Sequence, residues 1–161
     1  MNRVASWYIM KIESIGNSLD LLLKAAMEFY KDRLASFVVF GSYARNTANE
    51  NSDLDILLVV EDLPNGRFAR VDEWIQIEKI WSEKVFLSPV FFTPDELKQG
   101  SPLLLDMTQG EAILLYDKNN SLAEYLENLK SRLEKIGARK ISKGKSSYWI
   151  MGPKTGREVV L

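Results

Sequence analysis

Two periods of apolar residues alternate along this chain, and each predicts a different element. Between Asn17 and Leu34, Leu19, Leu22, Leu23, Ala26, Met27 and Tyr30 recur at helical spacing, with Asn17 or Ser18 available as a cap. Phe37 to Phe40 is a short, continuous apolar run ended by Gly41, which predicts a buried strand. A short helix over Ser42 to about Ala48 follows, entered through the Gly41-Ser42 turn, and Asn49 to Ser52 is a polar loop. Asp53 to Val60 predicts a second strand, and Leu63-Pro64-Asn65-Gly66 a turn. Arg67 to Glu83 predicts a long helix, with Val71, Trp74, Ile75 and Trp81 on one stripe. Val85 to Phe92 is a third strand whose Pro89 lacks a backbone donor, so it belongs at an edge or a bulge.

Thr93-Pro94-Asp95-Glu96 has the chemistry of a helix start: a capping hydroxyl, proline at the first position and acids in the first turn. A helical stretch over Pro102 to Gln109 and a fourth strand over Ala112 to Tyr116 come next. Asn120 to Ile136 predicts a helix with Leu122, Tyr125, Leu126, Leu129 and Leu133 on one face, stopped by Gly137. From Ala138 the chain reads as a basic β-hairpin turning at Gly144, with GPKTGREVVL trailing. The expected fold class is therefore α+β: a mixed sheet with helices mainly on one face, plus a C-terminal helix and hairpin. The expected organisation is a core over residues 1–118 and an extension over 119–161 packed into the same domain.

Composition narrows the chemistry. The chain has 161 residues, no Cys and no His, so disulfides, thiolate chemistry, His-based zinc sites and Ser-His-Asp triads are excluded. A general base has to be Asp, Glu, Lys, Tyr or water. No apolar run approaches the roughly 20 residues of a membrane span, and the N-terminus lacks the apolar core of a signal peptide, so a cytoplasmic location without membrane association is expected. Charge is uneven. Residues 130–161 hold nine Lys and Arg against two Asp and Glu, whereas residues 1–129 hold twelve against twenty. Such a tail suits either an anionic partner or a solvated hairpin against its own acidic body. Tyr148 and Trp149 beside Lys143 and Lys145 fit an RNA contact, and equally an amphipathic strand. Trp74 and Trp81 belong to core or interface, rather than acting with Trp7 as base-stacking platforms.

The candidate chemistry lies in FVVFGSYARNTANENSDLDILLVV, residues 37–60. Residues two apart on a strand share a face, so Asp53 and Asp55 project together as a hard-oxygen pair suited to Mg²⁺. A Gly-Ser turn opening a helix favours an anion. Gly-Ser alone, or Asp-x-Asp alone, is usually structural. Together, with Asp disfavoured in strands, they point to phosphoryl or nucleotidyl transfer.

These residues resemble the signature of the DNA polymerase β-like nucleotidyltransferase superfamily, G-S-x-x-R-G followed by S-D-x-D and an apolar strand. The similarity is to its minimal nucleotidyltransferases, and SPVFFTPDEL and GEAILLYD agree more loosely. The resemblance implies that Gly41, Ser42 and Arg45 serve the nucleotide, with Arg45 either pairing with phosphate or bracing the turn against an acid, the bracing role preferred. It implies that Asp53 and Asp55 are catalytic and hold one or two Mg²⁺ ions on ATP or another nucleoside triphosphate. It implies Mg²⁺-dependent transfer of a nucleoside monophosphate, AMP from ATP, to a hydroxyl on a HEPN-type toxin partner. Two other readings remain open: a weak or inactive nucleotide-binding antitoxin that acts by contact, and an RNA-modifying transferase. A homo-oligomer is compatible with each. Two departures stand out. Asn46 replaces the family's glycine after the arginine, and Asn tolerates left-handed backbone. Active members carry a third carboxylate on the following strand, but Val85–Phe92 holds no acid, with Ser88 or a neighbour in that slot and Glu83 and Asp95 flanking it.

Overall fold

In the computed structural model, the backbone is described for residues 3–144 and 146–152, and side chains from residue 14 onward; the trailing segment from residue 153 and the Trp7 side chain lie outside the described residues. The chain divides into two compact units, Met1–Leu122 and Ala123–Leu161.

The first unit is built on a four-stranded mixed sheet of order β3-β2-β1-β4, from β1 (Leu34–Phe40), β2 (Leu54–Val60), β3 (Leu87–Phe92) and β4 (Ala112–Asp117). β1 runs antiparallel to both β2 and β4, and β2 runs parallel to β3. The parallel pair needs a crossover, which α3 (Arg67–Glu78) supplies. With α1 (Arg3–Tyr30), α3 lines one face of the sheet. Leu19, Leu22, Ala26, Tyr30, Trp74 and Ile77 bury there against Phe37, Val39, Leu54, Ile56, Leu58 and Val60. Val38 and Leu57 on the opposite face are equally sealed from solvent, which explains the unbroken apolar reading of both central strands. β3 is the edge strand that Pro89 requires. Buried Ser36 on β1 donates to Asp117 Oδ1 (2.9 Å), and the same oxygen receives the Leu122 amide (3.0 Å).

Several boundaries differ from the sequence reading. The first helix starts at Arg3, so Asn17 and Ser18 are interior and cap nothing; the Ser18 hydroxyl instead donates to Glu83. Leu34 belongs to β1, because a 3-10 turn over Lys31–Arg33 ends the helical register and Leu34 enters the core as the strand's first residue. α3 ends at Glu78 instead of Glu83. Trp81 leaves the helix and its Nε1 donates to the Val85 carbonyl (2.8 Å), which anchors the approach to β3. Both outcomes are tertiary contacts overriding a local cap or period signal. α2 (Gly41–Arg45) and α5 (Pro102–Met107) are shorter than expected by their final residues. Trp74 is core, packed edge-to-face on Phe91 at 6.0 Å.

α4 (Pro94–Gln99) begins with the expected Thr93 cap, which Glu96 completes into a reciprocal capping box. The Thr93 hydroxyl accepts from the Glu96 amide (3.2 Å), and the Glu96 carboxylate accepts from the Thr93 amide (2.8 Å). Glu96 also takes a fork of two bonds from Arg70, at 2.7 and 2.8 Å, while Arg70 Nε donates to Pro64 O at 2.9 Å. The Arg70 hydrogen bonds hold the Glu96 carboxyl below its ordinary 4.5. The stability this adds is complete above that value and is lost as pH falls through the depressed folded one. Arg70→Ala should therefore destabilise the protein by about 2 kcal/mol near neutral pH. In urea melts the gap to the wild type should narrow in acid as Glu96 protonates in both.

The second unit, with its helix, holds α6 (Ser121–Lys135) and a two-stranded antiparallel sheet of β5 (Arg139–Lys143) and β6 (Ser146–Ile150) turning at Gly144, as the sequence predicts. Leu122, Leu126 and Leu133 are the buried stripe of α6. Among the described residues no helix is long and apolar enough to cross a membrane.

Candidate functional site

The site forms where β1 ends. Gly41 follows Phe40 with φ +69 and opens α2. A side chain is impossible there on two counts. The backbone lies in the left-handed region, and a Cβ would sit 2.1 Å from Asp55 Oδ2 and 2.9 Å from its Cγ. Gly41 is thus the floor on which the Asp55 carboxylate rests. The turn is held from the other side by the Ser42 carbonyl, which accepts from the Thr47 amide (2.8 Å) and the Ala48 amide (3.2 Å). Asn46 takes left-handed geometry at φ 66, ψ 34, so it fills the role of the expected glycine.

The polar loop before β2 is ordered by its own side chains. Asn49 Oδ1 accepts from the Asn51 amide and Ser52 Oγ from the Asn49 amide, both at 2.9 Å. The chain then enters β2 with Leu54 fully buried between an exposed Asp53 and a half-buried Asp55. The strand's alternation sends Leu54 into the core, so the flanking acids point away from it. Antiparallel pairing sets Asp55 beside Phe40, and parallel pairing sets it beside Ser88.

The charges around Asp55 act on its carboxyl in both directions. Burial pushes the Asp55 carboxyl up, the Asp53 charge adds to that, and a hydrogen bond from Ser88 and the charge of Arg45 oppose it. Asp55 is therefore a partly desolvated carboxylate with a like charge beside it, an arrangement that favours a bound cation. Arg45 Nη1 lies 3.6 Å from Glu111 Oε2, so the arginine braces α2 against the start of β4. Both partners are partly exposed, and the pair itself is worth little.

The structure brings Gly41, Asp53, Asp55 and Arg45 together, with Ser42 half-buried in the same turn. It does not bring in the flanking acids: Glu83 is engaged by Ser18, and the exposed Asp95 lies 3.7 Å from Lys98. Among the described residues no group of three or more acids gathers to hold a metal. Sequence reasoning did not single out Glu111. It precedes Ala112, which pairs with Phe40, and no local pattern reveals that register.

The chain is similar to several known proteins. The profile of the nucleotidyltransferase domain matches residues 19–115. A Methanocaldococcus jannaschii protein, provisionally described as a protein adenylyltransferase, is 35% identical over 131 residues, spanning 79% of this chain and 88% of its own. A second protein of that organism, described the same way, is 34% identical over 64 residues, 38% of this chain and 63% of its own. Among solved structures, a toxin-antitoxin with AMP-PNP shares the fold at TM-score 0.51 and 18% identity, over 72% of this chain and 89% of that one.

Proposed function

This chain belongs to the nucleotidyltransferase domain family, and from that premise we propose that it moves AMP from ATP to a hydroxyl on a partner protein, a HEPN-type toxin. The observation that carries the reading is the seat of Asp55 on Gly41, beside Asp53 and the Ser42 turn. The 35% identical relative supports a protein as the acceptor. The acceptor oxygen bonds to the α-phosphorus, the bond to the β-phosphate bridging oxygen breaks with its electron pair leaving on pyrophosphate, and the hydroxyl proton passes to water.

The residues fit a divalent cation. Two hard carboxylates share a face, one partly desolvated, above a glycine that leaves room for nothing else. Asp53 and Asp55 would hold Mg²⁺, which supplies charge neutralisation along the phosphates. Gly41 keeps the approach to the acids clear. The Ser42 hydroxyl and the amides of its turn hold terminal phosphate oxygens. Arg45, beside Glu111, adds positive charge near Asp55.

A second reading, neutralisation by contact without turnover, is favoured by the serine at position 88. The two are separated by incubating the purified protein with ATP, Mg²⁺ and the product of the adjacent gene, then weighing that product by mass spectrometry. An AMP adduct that vanishes with Asp53→Ala supports transfer. No adduct, together with full silencing of the partner by the Asp53→Asn/Asp55→Asn double variant, supports contact.

A further inference from the structure

We propose that Ser88 makes this a one-cation site, its hydroxyl positioning Asp55 from the place where a third metal-binding carboxylate would otherwise stand. The inference rests on reading Asp53 and Asp55 as cation ligands.

Three observations carry it. First, the β2–β3 register runs without a break from Leu54↔Leu87 to Val59↔Phe92, so Asp55 faces Ser88 and nothing else on β3. Paired residues of neighbouring strands share a face, so the Ser88 side chain stands beside the Asp55 carboxylate. Second, the acids that flank β3 are used elsewhere, Glu83 by Ser18 and Asp95 beside Lys98. Third, ligand number limits the cations. A carboxylate that bridges two ions roughly 3.5–4 Å apart needs both oxygens for metal, and the second ion needs a further anionic ligand on its far side. Here β3 sets a neutral hydroxyl beside Asp55, and among the described residues no third acid joins the pair. Only the first ion, shared by Asp53, Asp55 and the phosphates, has enough ligands.

The test counts ions instead of turnover. Each protein is equilibrated with Mn²⁺ and AMP-PNP, bound Mn²⁺ is measured after dialysis, and the electron spin resonance spectrum reports whether two ions are coupled. The wild type should hold one Mn²⁺ per chain with an uncoupled spectrum. Ser88→Asp should hold two, coupled. Ser88→Ala should keep one but release it about fivefold more readily, the value of a single hydrogen bond to Asp55. Two coupled ions in the wild type overturn the proposal, a count that holds even if a variant folds poorly. A single ion in a folded Ser88→Asp protein overturns it as well, because position 88 is then not the missing ligand's place. Binding of no ion by any of the three sinks the cation reading of Asp53 and Asp55 itself, and this inference with it.

Discussion

Gly41→Ala should weaken nucleotide binding and slow transfer about 100-fold while most of the fold survives. Two penalties meet at this one methyl group. Holding an alanine at φ +69 costs about 1–2 kcal/mol of backbone strain. The Cβ would also lie 2.1 Å from Asp55 Oδ2, so either the turn or the carboxylate must move by more than an ångström. A displacement of that size at a reacting centre is worth about 100-fold in rate. Gly66→Ala is the natural control. Gly66 also has a positive φ, +96, but a Cβ there meets nothing within 4 Å. Gly66→Ala should thus lose a similar amount of stability and keep its affinity for Mg²⁺ and AMP-PNP, measured by calorimetric titration. Equal binding by the two variants would mean that Gly41 does not shape the site.

Asp55→Asn should separate function from stability in opposite directions. Removing one of two anionic ligands should cost several kcal/mol of transition-state stabilisation, on the order of 1000-fold in transfer. The effect on the free protein runs the other way. Asp55 is half-buried, and its folded carboxyl titrates above the ordinary 3.8, chiefly through burial and then through the charge of Asp53. The folded state therefore binds this proton more tightly than the unfolded chain. The stability gained is complete below 3.8 and is lost as pH rises through the raised folded value. At neutral pH the wild type carries a partly desolvated charge that asparagine lacks. Asp55→Asn should melt at the same temperature as the wild type or higher without metal, and its stability should not fall over that acidic window. Saturating Mg²⁺ and AMP-PNP should reverse the order, because ligand at 100 times its dissociation constant stabilises the wild type by about 2.7 kcal/mol and the variant far less. A variant that is less stable than the wild type without ligand would show that the carboxylate serves the fold and not a cation.

Local chemistry made much of this molecule legible in advance. The capping box at Thr93, the edge position of Pro89, the hairpin turn at Gly144 and the left-handed Asn46 all follow from residue types whose backbone or hydrogen-bonding options are few. The pairing of Asp53 with Asp55 needed only the two-residue period of a strand. Helix limits were less legible. Asn17 and Ser18 look like caps but lie inside a 28-residue helix, and Trp81 fits the α3 stripe yet bonds to Val85. In both cases packing outweighed a preference worth about 1 kcal/mol.

What the sequence by itself determined is the family, the order of most elements, and the nearness of Asp53, Asp55 and the Gly41 turn, because each is set by residues within a few positions of one another. What only the tertiary structure decided is which distant groups complete the site. That Gly41 supports Asp55, that Ser88 stands across from it, and that Glu111 holds Arg45 depend on the registers of β1, β3 and β4. A register is the joint outcome of burying both faces of a sheet at once. No stretch of the chain shorter than the whole sheet specifies it.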